Sequence, residues 1–250
     1  MADSGRTLDG RRVLVVGASA GIGRGAAKAL SRRGASVTVV GRRAAETAAA
    51  ASEAGAVHSI TCDVRDEEAT RAMVADAIGR LGGLDVLVYT AGTSPLALVA
   101  DTPFATWQAM LEVNVIGLAI TYAAASKSLE ASAGRVVALS SYSRVDPKAG
   151  LVPYAASKAA LETLMTGLRR EQPTVSFSVV TVAYTAPTEF MRDFDSDTYR
   201  RLEVLWRTAG SFGYGIMDVD DVAEQIADVV AAPMVVESVT LVGPSTWRAE

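Results

Sequence analysis

Short runs of β-branched and apolar residues alternate along this chain with Ala-rich stretches of helical character, and few architectures accept that alternation. The strand candidates are Arg12–Val16, Ser36–Val40, Ala56–Thr61, Val86–Tyr89, Arg135–Leu139, Ser176–Ala183 and Ser238–Leu241. Between them lie a helix ending at Arg33 before Gly34, Ala44–Ala54 closed by Gly55, and one from near Glu67 to Gly82-Gly83. A long helix over about Thr106–Ser128, another through 151–165, and a last one over Asp218–Ala232 complete the series. Such an order requires an α/β fold: a parallel sheet covered by helices on both faces, with ligands at the carboxyl ends of its strands. Half of the residues are hydrophobic and only 6% are aromatic, which suits buried parallel strands closely covered by small-residue helices. With no repeat, low-complexity tract or Pro/Ser linker, the 250 residues are expected to form one domain.

Charge and cysteine usage exclude several classes of function. A formal net charge of −4 argues against nucleic-acid binding through a broad basic surface. One cysteine, Cys62, rules out an intrachain disulfide framework and fits a reducing compartment. The N-terminal ten residues lack the apolar core of a secretory leader, and no run reads as long enough to cross a bilayer. The expectation is a soluble, cytoplasmic protein without a membrane partner.

The first strand runs into Gly17-Ala18-Ser19-Ala20-Gly21-Ile22-Gly23 and then a helix. Glycine lets the backbone turn tightly and approach a ligand, and a helix N-terminus offers free N–H groups and partial positive charge to a pyrophosphate. The second strand ends in Gly41-Arg42-Arg43. An acid there would bind the ribose hydroxyls of NAD(H); an arginine accommodates a 2′-phosphate, so NADP(H) is favoured, although solvated loop arginines fit the pattern too. Asp63 and Val64 follow the third strand. Asp63 could accept a hydrogen bond from an adenine amino group while Val64 covers the ring, or Asp63 could cap the next helix. Ala91-Gly92 forms a further small-residue turn at the same edge, whereas His58, the only histidine, sits inside a strand and reads as structural.

Tyr154 and Lys158 lie four apart on an Ala-rich helix begun by Pro153, so both side chains rise on one face. A free phenol has a pKa of roughly 10, and a neighbouring ammonium favours the phenolate and draws it toward a useful range for proton transfer. Ser141, at a strand tip one loop before this helix, could converge with Tyr154 on one carbonyl oxygen. Asn114 stands among apolar neighbours, either as an ordinary buried amide or holding a water or a bent backbone beside the site. Residues 188–217 fall outside the alternation and are rich in bulky groups, Phe190, Met191, Phe194, Trp206 and Phe212 among them, as expected of a partly apolar lid over a substrate pocket.

Together, Gly17 to Gly23, Asp63-Val64, Ala91-Gly92, Asn114, Ser141 and Tyr154-Ala-Ala-Ser-Lys158 resemble the classical short-chain dehydrogenase/reductase family over nearly the whole chain. The resemblance implies a Rossmann-type doubly wound sheet and an NADP(H)-dependent oxidoreductase interconverting a ketone and a secondary alcohol. Tyr154 would be the general acid/base, Ser141 would polarise the substrate oxygen, and Lys158 would lower the phenol's pKa and bind the nicotinamide ribose. Asn114 would position a relay water, Thr188 would contact the nicotinamide end, and the chain would form a homotetramer or homodimer. It departs from the family pattern where Tyr89-Thr90 replaces Asn-Asn, where Tyr184-Thr185 replaces Pro-Gly, and where Ala20 replaces a basic residue. The rival reading is an NADP-binding sensor or scaffold with little turnover.

Overall fold

The structure is a computed structural model that describes residues 7–209 and 213–244; the N-terminal residues 1–6 and Phe212, both used above, lie outside the described residues. Seven parallel strands form one sheet in the order β3-β2-β1-β4-β5-β6-β9. They are β1 (Arg12–Val16), β2 (Ser36–Gly41), β3 (His58–Thr61), β4 (Val86–Tyr89), β5 (Arg135–Ser141), β6 (Ser176–Val182) and β9 (Ser238–Leu241). Two short strands, β7 (Thr185–Ala186) and β8 (Met217–Asp218), pair separately beyond the carboxyl edge. Around the sheet are α1 (Gly21–Arg32), α2 (Ala44–Ala54), α3 (Glu67–Leu81), α4 (Phe104–Leu111), α5 (Gly117–Ala131), α6 (Val152–Glu171), α7 (Ser196–Thr208) and α8 (Val219–Ala231).

The period of two in β1 decides which face each residue covers. Leu14 and Val16 join one buried cluster with Met73 of α3, Leu118 of α5 and Leu161 of α6. Val13 and Val15 join the opposite cluster with Ala26 and Leu30 of α1 and Ile226 of α8. Small residues on α1 allow close docking: a Cβ on Gly25 would stand 2.9 Å from the Cβ of Ala223 on α8. A third, smaller cluster of Leu96, Leu151, Leu202 and Trp206 packs beyond the sheet edge.

Several element boundaries differ from those expected. β5 continues through Ser141, paired with Val182 of β6, so the serine is the last residue of a strand and not part of its loop. The helix expected over 106–128 is a 28-residue helical run, Phe104–Ala131, interrupted by a π turn at Glu112–Ile116. By length and composition this run passes as a membrane span, contrary to the expectation of none. Its buried residues Leu118, Tyr122, Ala125 and Leu129 lie in the core beside the sheet, which accounts for its apolarity. Asp66, not Asp63, caps α3: its carboxylate accepts from the Ala69 amide at 2.9 Å, and Glu67 and Glu68 follow in the first turn. His58 lies in β3, with Nε2 3.3 Å from Asp76 on α3, a structural placement.

Candidate active site

The strands deliver their carboxyl ends to one cavity of about 690 Å³. At its floor the β1–α1 turn crosses the turn that follows β4. A Cβ on Gly17, whose φ is +93°, would lie 2.3 Å from the Ala91 amide nitrogen, and one on Gly23 would lie 2.3 Å from both the Gly17 carbonyl oxygen and Thr90 Oγ1. These two glycines are therefore needed for the protein to approach itself, a role beyond the ligand approach expected of them. Gly21, with φ +52°, has Thr188 as its neighbour, 3.5 Å from an ideal Cβ, so Thr188 does stand at the mouth of α1. Ala20 caps α1 without a side-chain hydrogen bond, and it lines the cavity together with Ser19, Gly21 and Ile22.

At the end of β2, Arg42 is exposed and Arg43 half-buried. Arg43 is engaged by the segment after β6: its guanidinium lies 2.6 Å from Glu189 and 3.4 Å from Ser19 Oγ. That pairing holds the Glu189 carboxyl below the usual range, and it leaves Arg42 as the less constrained cation of the pair. Asp63 is gripped by the Arg65 guanidinium, 2.6 Å away, which together with the Arg65 amide holds its carboxyl low against the opposing effect of burial. Val64 is buried in the core and lines the cavity, packed where a Cβ on Gly117 would stand 2.9 Å away.

Tyr154, Ser141, Lys158 and Asn114 converge at the other end. Ser141 stands beside the Tyr154 phenol, and its hydroxyl favours the phenolate. Burial outweighs it and pushes the phenol up to about 12. Ser141 Oγ also accepts from the Ser143 amide at 3.2 Å, which fixes its rotamer. Lys158 is 3% exposed and donates to the Leu139 carbonyl at 2.8 Å, with its nitrogen 5.8 Å from the centre of the Tyr154 ring. Burial draws the Lys158 ammonium down to about 8, opposed by Glu162. The pair therefore shares a face as expected, and desolvation acts on both groups at once, raising the phenol and lowering the ammonium.

Asn114 sits in the π turn, fully buried, and ties three elements together. Its Oδ1 accepts from the Thr93 amide at 2.8 Å; its Nδ2 donates to the Thr93 carbonyl at 3.0 Å and to Ser157 Oγ at 2.9 Å. Ser157 Oγ in turn donates to the Tyr154 carbonyl at 2.7 Å. Of the alternatives open from sequence, the structure shows the amide holding bent backbone. Gly92 lies between the two polar groups, its ideal Cβ 3.5 Å from both Asn114 Oδ1 and Lys158 Nζ.

The segment beyond β6 reaches over Tyr154. Phe190 packs on the phenol ring at 5.3 Å between centroids, and Phe194 packs on Phe190 at 5.5 Å. One group on the cavity wall carried no sequence signal: Lys148, 8% exposed, with its nitrogen 4.0 Å from the Tyr184 ring centre and 5.8 Å from that of Trp206. Its position in an Asp-Pro-Lys-Ala-Gly loop looks like an ordinary solvated lysine. The rings of Tyr184 and of Trp206 on α7 stand over it.

This geometry is matched by relatedness. Residues 11–199 match the short chain dehydrogenase family, and the chain belongs to it. It is 31% identical over 231 residues to glycine betaine reductase ATRR of Emericella nidulans, a match spanning 90% of this chain but 18% of that protein. It is 32% identical over 170 residues to the L-fucose dehydrogenase of Oryctolagus cuniculus, covering 68% of this chain and 60% of that one. The crystal structure of a short chain dehydrogenase from Burkholderia cenocepacia in complex with NADP superposes with a TM-score of 0.82 at 29% identity, over 95% of this chain and 98% of that one.

Proposed function

We propose that this oxidoreductase uses NADP(H) to interconvert a ketone and a secondary alcohol, with Tyr154 as general acid/base. The observation that carries the reading is that Tyr154, Ser141 and Lys158 line the same cavity as the glycine-rich turn. The chain's own residues fit the cofactor: uncapped amides of α1 suit the pyrophosphate, Arg42 suits a 2′-phosphate, and Ala91-Gly92 leaves room without side-chain bulk. NADP(H) supplies or accepts the hydride when bound.

Tyr154 and Ser141 hold the carbonyl oxygen between two hydroxyls, and Tyr154 donates its proton as negative charge develops there. With the phenol held up to about 12, the proton resides on Tyr154 near neutrality. Asn114 and Ser157 position the turn after β4 and the backbone of Tyr154 relative to each other. Residues 188–217 act as a lid that excludes water, with Phe190 resting on the reacting phenol. The exposed apolar residues Phe104, 80% exposed on α4, Ile116 and Val152 support self-association as a homodimer or homotetramer. The single buried cysteine supports a reducing, cytoplasmic setting.

The test is oxidation of NADPH across a panel of ketones, followed by absorbance. Tyr154→Phe removes the proton donor and is expected to lower turnover by about 10²–10⁴-fold while NADPH affinity changes little. An unchanged rate would reject the assignment. Tight NADPH binding without oxidation across the panel would favour a nucleotide sensor.

A further inference from the structure

Arg43 and Glu189 come from distant parts of the chain and meet in the wall of the cavity. Arg43 follows β2, at the strand end where a dinucleotide's 2′-phosphate is recognised. Glu189 belongs to the segment after β6, between Thr188, which stands at the mouth of α1, and Phe190, which packs on the Tyr154 ring. The two side chains engage as a fork: Arg43 Nη1 donates to Glu189 Oε1 at 3.2 Å, and Nη2 lies 2.6 Å from Oε2. Nη2 also reaches Ser19 Oγ of the glycine-rich turn at 3.4 Å. A carboxylate therefore spans both ends of this guanidinium, in the bidentate geometry that a phosphate would use.

The fork can be opened without stranding either charge. Arg192 donates to the same Oε2 at 2.8 Å, so Glu189 keeps a cation when Arg43 is withdrawn, and Arg43 keeps Glu46 at 3.5 Å. Both members also meet water, their side chains being 27% and 42% exposed, and ion pairs in such settings are weak. A phosphate monoester carries about 1.5–2 negative charges near neutrality, more than a carboxylate, so it can displace Glu189 from the fork. Doing so still costs the broken pair and brings two anions close together.

We propose that Glu189 is a specificity-determining residue for the cofactor: it competes with the 2′-phosphate for the Arg43 fork and keeps the preference for NADPH over NADH below what two arginines would give. Arg42 then carries the 2′-phosphate contact in the wild type, and Arg43 contributes once Glu189 is removed. The proposal rests on the NADP(H) reading and extends it to the segment after β6.

The experiment is isothermal titration calorimetry of NADPH and NADH binding to wild type, Glu189→Gln, Arg43→Gln and the double variant. Glu189→Gln keeps the shape of the side chain and removes its charge. It is expected to tighten NADPH about fivefold, the equivalent of about 1 kcal/mol for one exposed pair, and NADH less than about twofold. Arg43→Gln should weaken NADPH less than about threefold in the wild-type background, yet abolish the gain in the Glu189→Gln background. An unchanged Kd for NADPH, equal gains for the two nucleotides, or a gain that survives Arg43→Gln overturns the proposal. A loss for both nucleotides also overturns it, since that is the behaviour of a strap that retains either one. If wild type binds neither nucleotide, the NADP(H) reading fails, and the same variants titrated with adenosine 2′,5′-bisphosphate and 5′-AMP decide the competition for Arg43. A gain for the bisphosphate alone supports it; no selective gain overturns it.

Discussion

Replacing Asn114 by leucine keeps the number and branching of side-chain heavy atoms, although the two methyl groups are bulkier, and removes three hydrogen bonds of a fully buried side chain. The Thr93 amide, the Thr93 carbonyl and Ser157 Oγ each lose a partner, although Ser157 keeps its bond to the Tyr154 carbonyl. A buried polar group left unsatisfied costs about 1–3 kcal/mol. Thr93 itself is exposed and its two bonds to the amide are part-buried, so water replaces them in part and each counts nearer the net of about 0.5–1.5 kcal/mol of an ordinary hydrogen bond, about 1–3 kcal/mol for the pair. Asn114→Asp refines the test. Its carboxylate still accepts from the Thr93 amide, but the atom replacing Nδ2 now faces a carbonyl 3.0 Å away and can donate only when protonated. The folded-state pKa of this aspartate is raised above its unfolded value of about 3.9, so the folded state binds the proton more tightly. Stability is then greatest at low pH and falls by about 1.4 kcal/mol per pH unit between the unfolded and the folded pKa. Urea unfolding of wild type and both variants between pH 4 and about 8 measures this directly. A cost below about 1 kcal/mol for Asn114→Leu, or a pH-independent difference for Asn114→Asp, would refute the claim that the amide pins Thr93.

Arg42→Ala is expected to weaken NADPH binding tenfold or more and NADH binding far less, measured by titration; equal effects would remove the 2′-phosphate assignment. Gly23→Ala would force a Cβ to within 2.3 Å of the Gly17 carbonyl, costing at least about 1–3 kcal/mol. Gly79→Ala, on α3 with nothing within 4 Å, should stabilise by about 0.4–1 kcal/mol, and thermal melts that rank the two the other way would contradict the packing of the turn. Lys158 has its pKa lowered from 10.5 to about 8, so the unfolded chain binds its proton more tightly across that window. Wild type should therefore gain about 3 kcal/mol relative to Lys158→Met as pH rises from about 8 to about 10.5, read by denaturant midpoints at each pH; a flat difference would show that the amine is not desolvated.

The parts of the site that follow from local periodicity were legible in the sequence. Tyr154 and Lys158 share a face because a helix returns to itself every three to four residues, and Ser141 reaches the same edge because β5 is parallel to its neighbours. What was not legible depends on contacts between distant segments. Arg43 meets Glu189 across the cavity, Lys158 reaches the Leu139 carbonyl, and Lys148 meets the ring of Trp206 on α7, which packs against Ala149. Asn114 was visible as a polar residue in an apolar helix, but its partners were not, since nothing in the pattern announces a π turn. Burial also acts on the titrations: proximity of an ammonium argues for a low phenol pKa, while desolvation of both groups raises one and lowers the other.

The departures from the family pattern differ in consequence, and the π turn shows why. The Gly117 amide donates to the Glu112 carbonyl, five residues back, so the Val113 carbonyl loses the partner a regular helix would give it. Tyr89 OH donates to that carbonyl at 2.6 Å, and the space for its hydroxyl exists because Gly117 has no Cβ, which would fall 2.5 Å away. Thr90 Oγ1 donates to the Val16 carbonyl at 2.9 Å and holds the crossing of the two turns. Tyr89-Thr90 therefore supplies its own support for the turn that places Ala91-Gly92 in the cavity. Tyr184 is different in kind. It projects into the cavity wall beside β6 and carries Lys148 on its face, so this departure alters what the cavity can recognise. The two departures thus differ in place: Tyr89-Thr90 is bonded within the scaffold, whereas Tyr184 stands in the cavity wall.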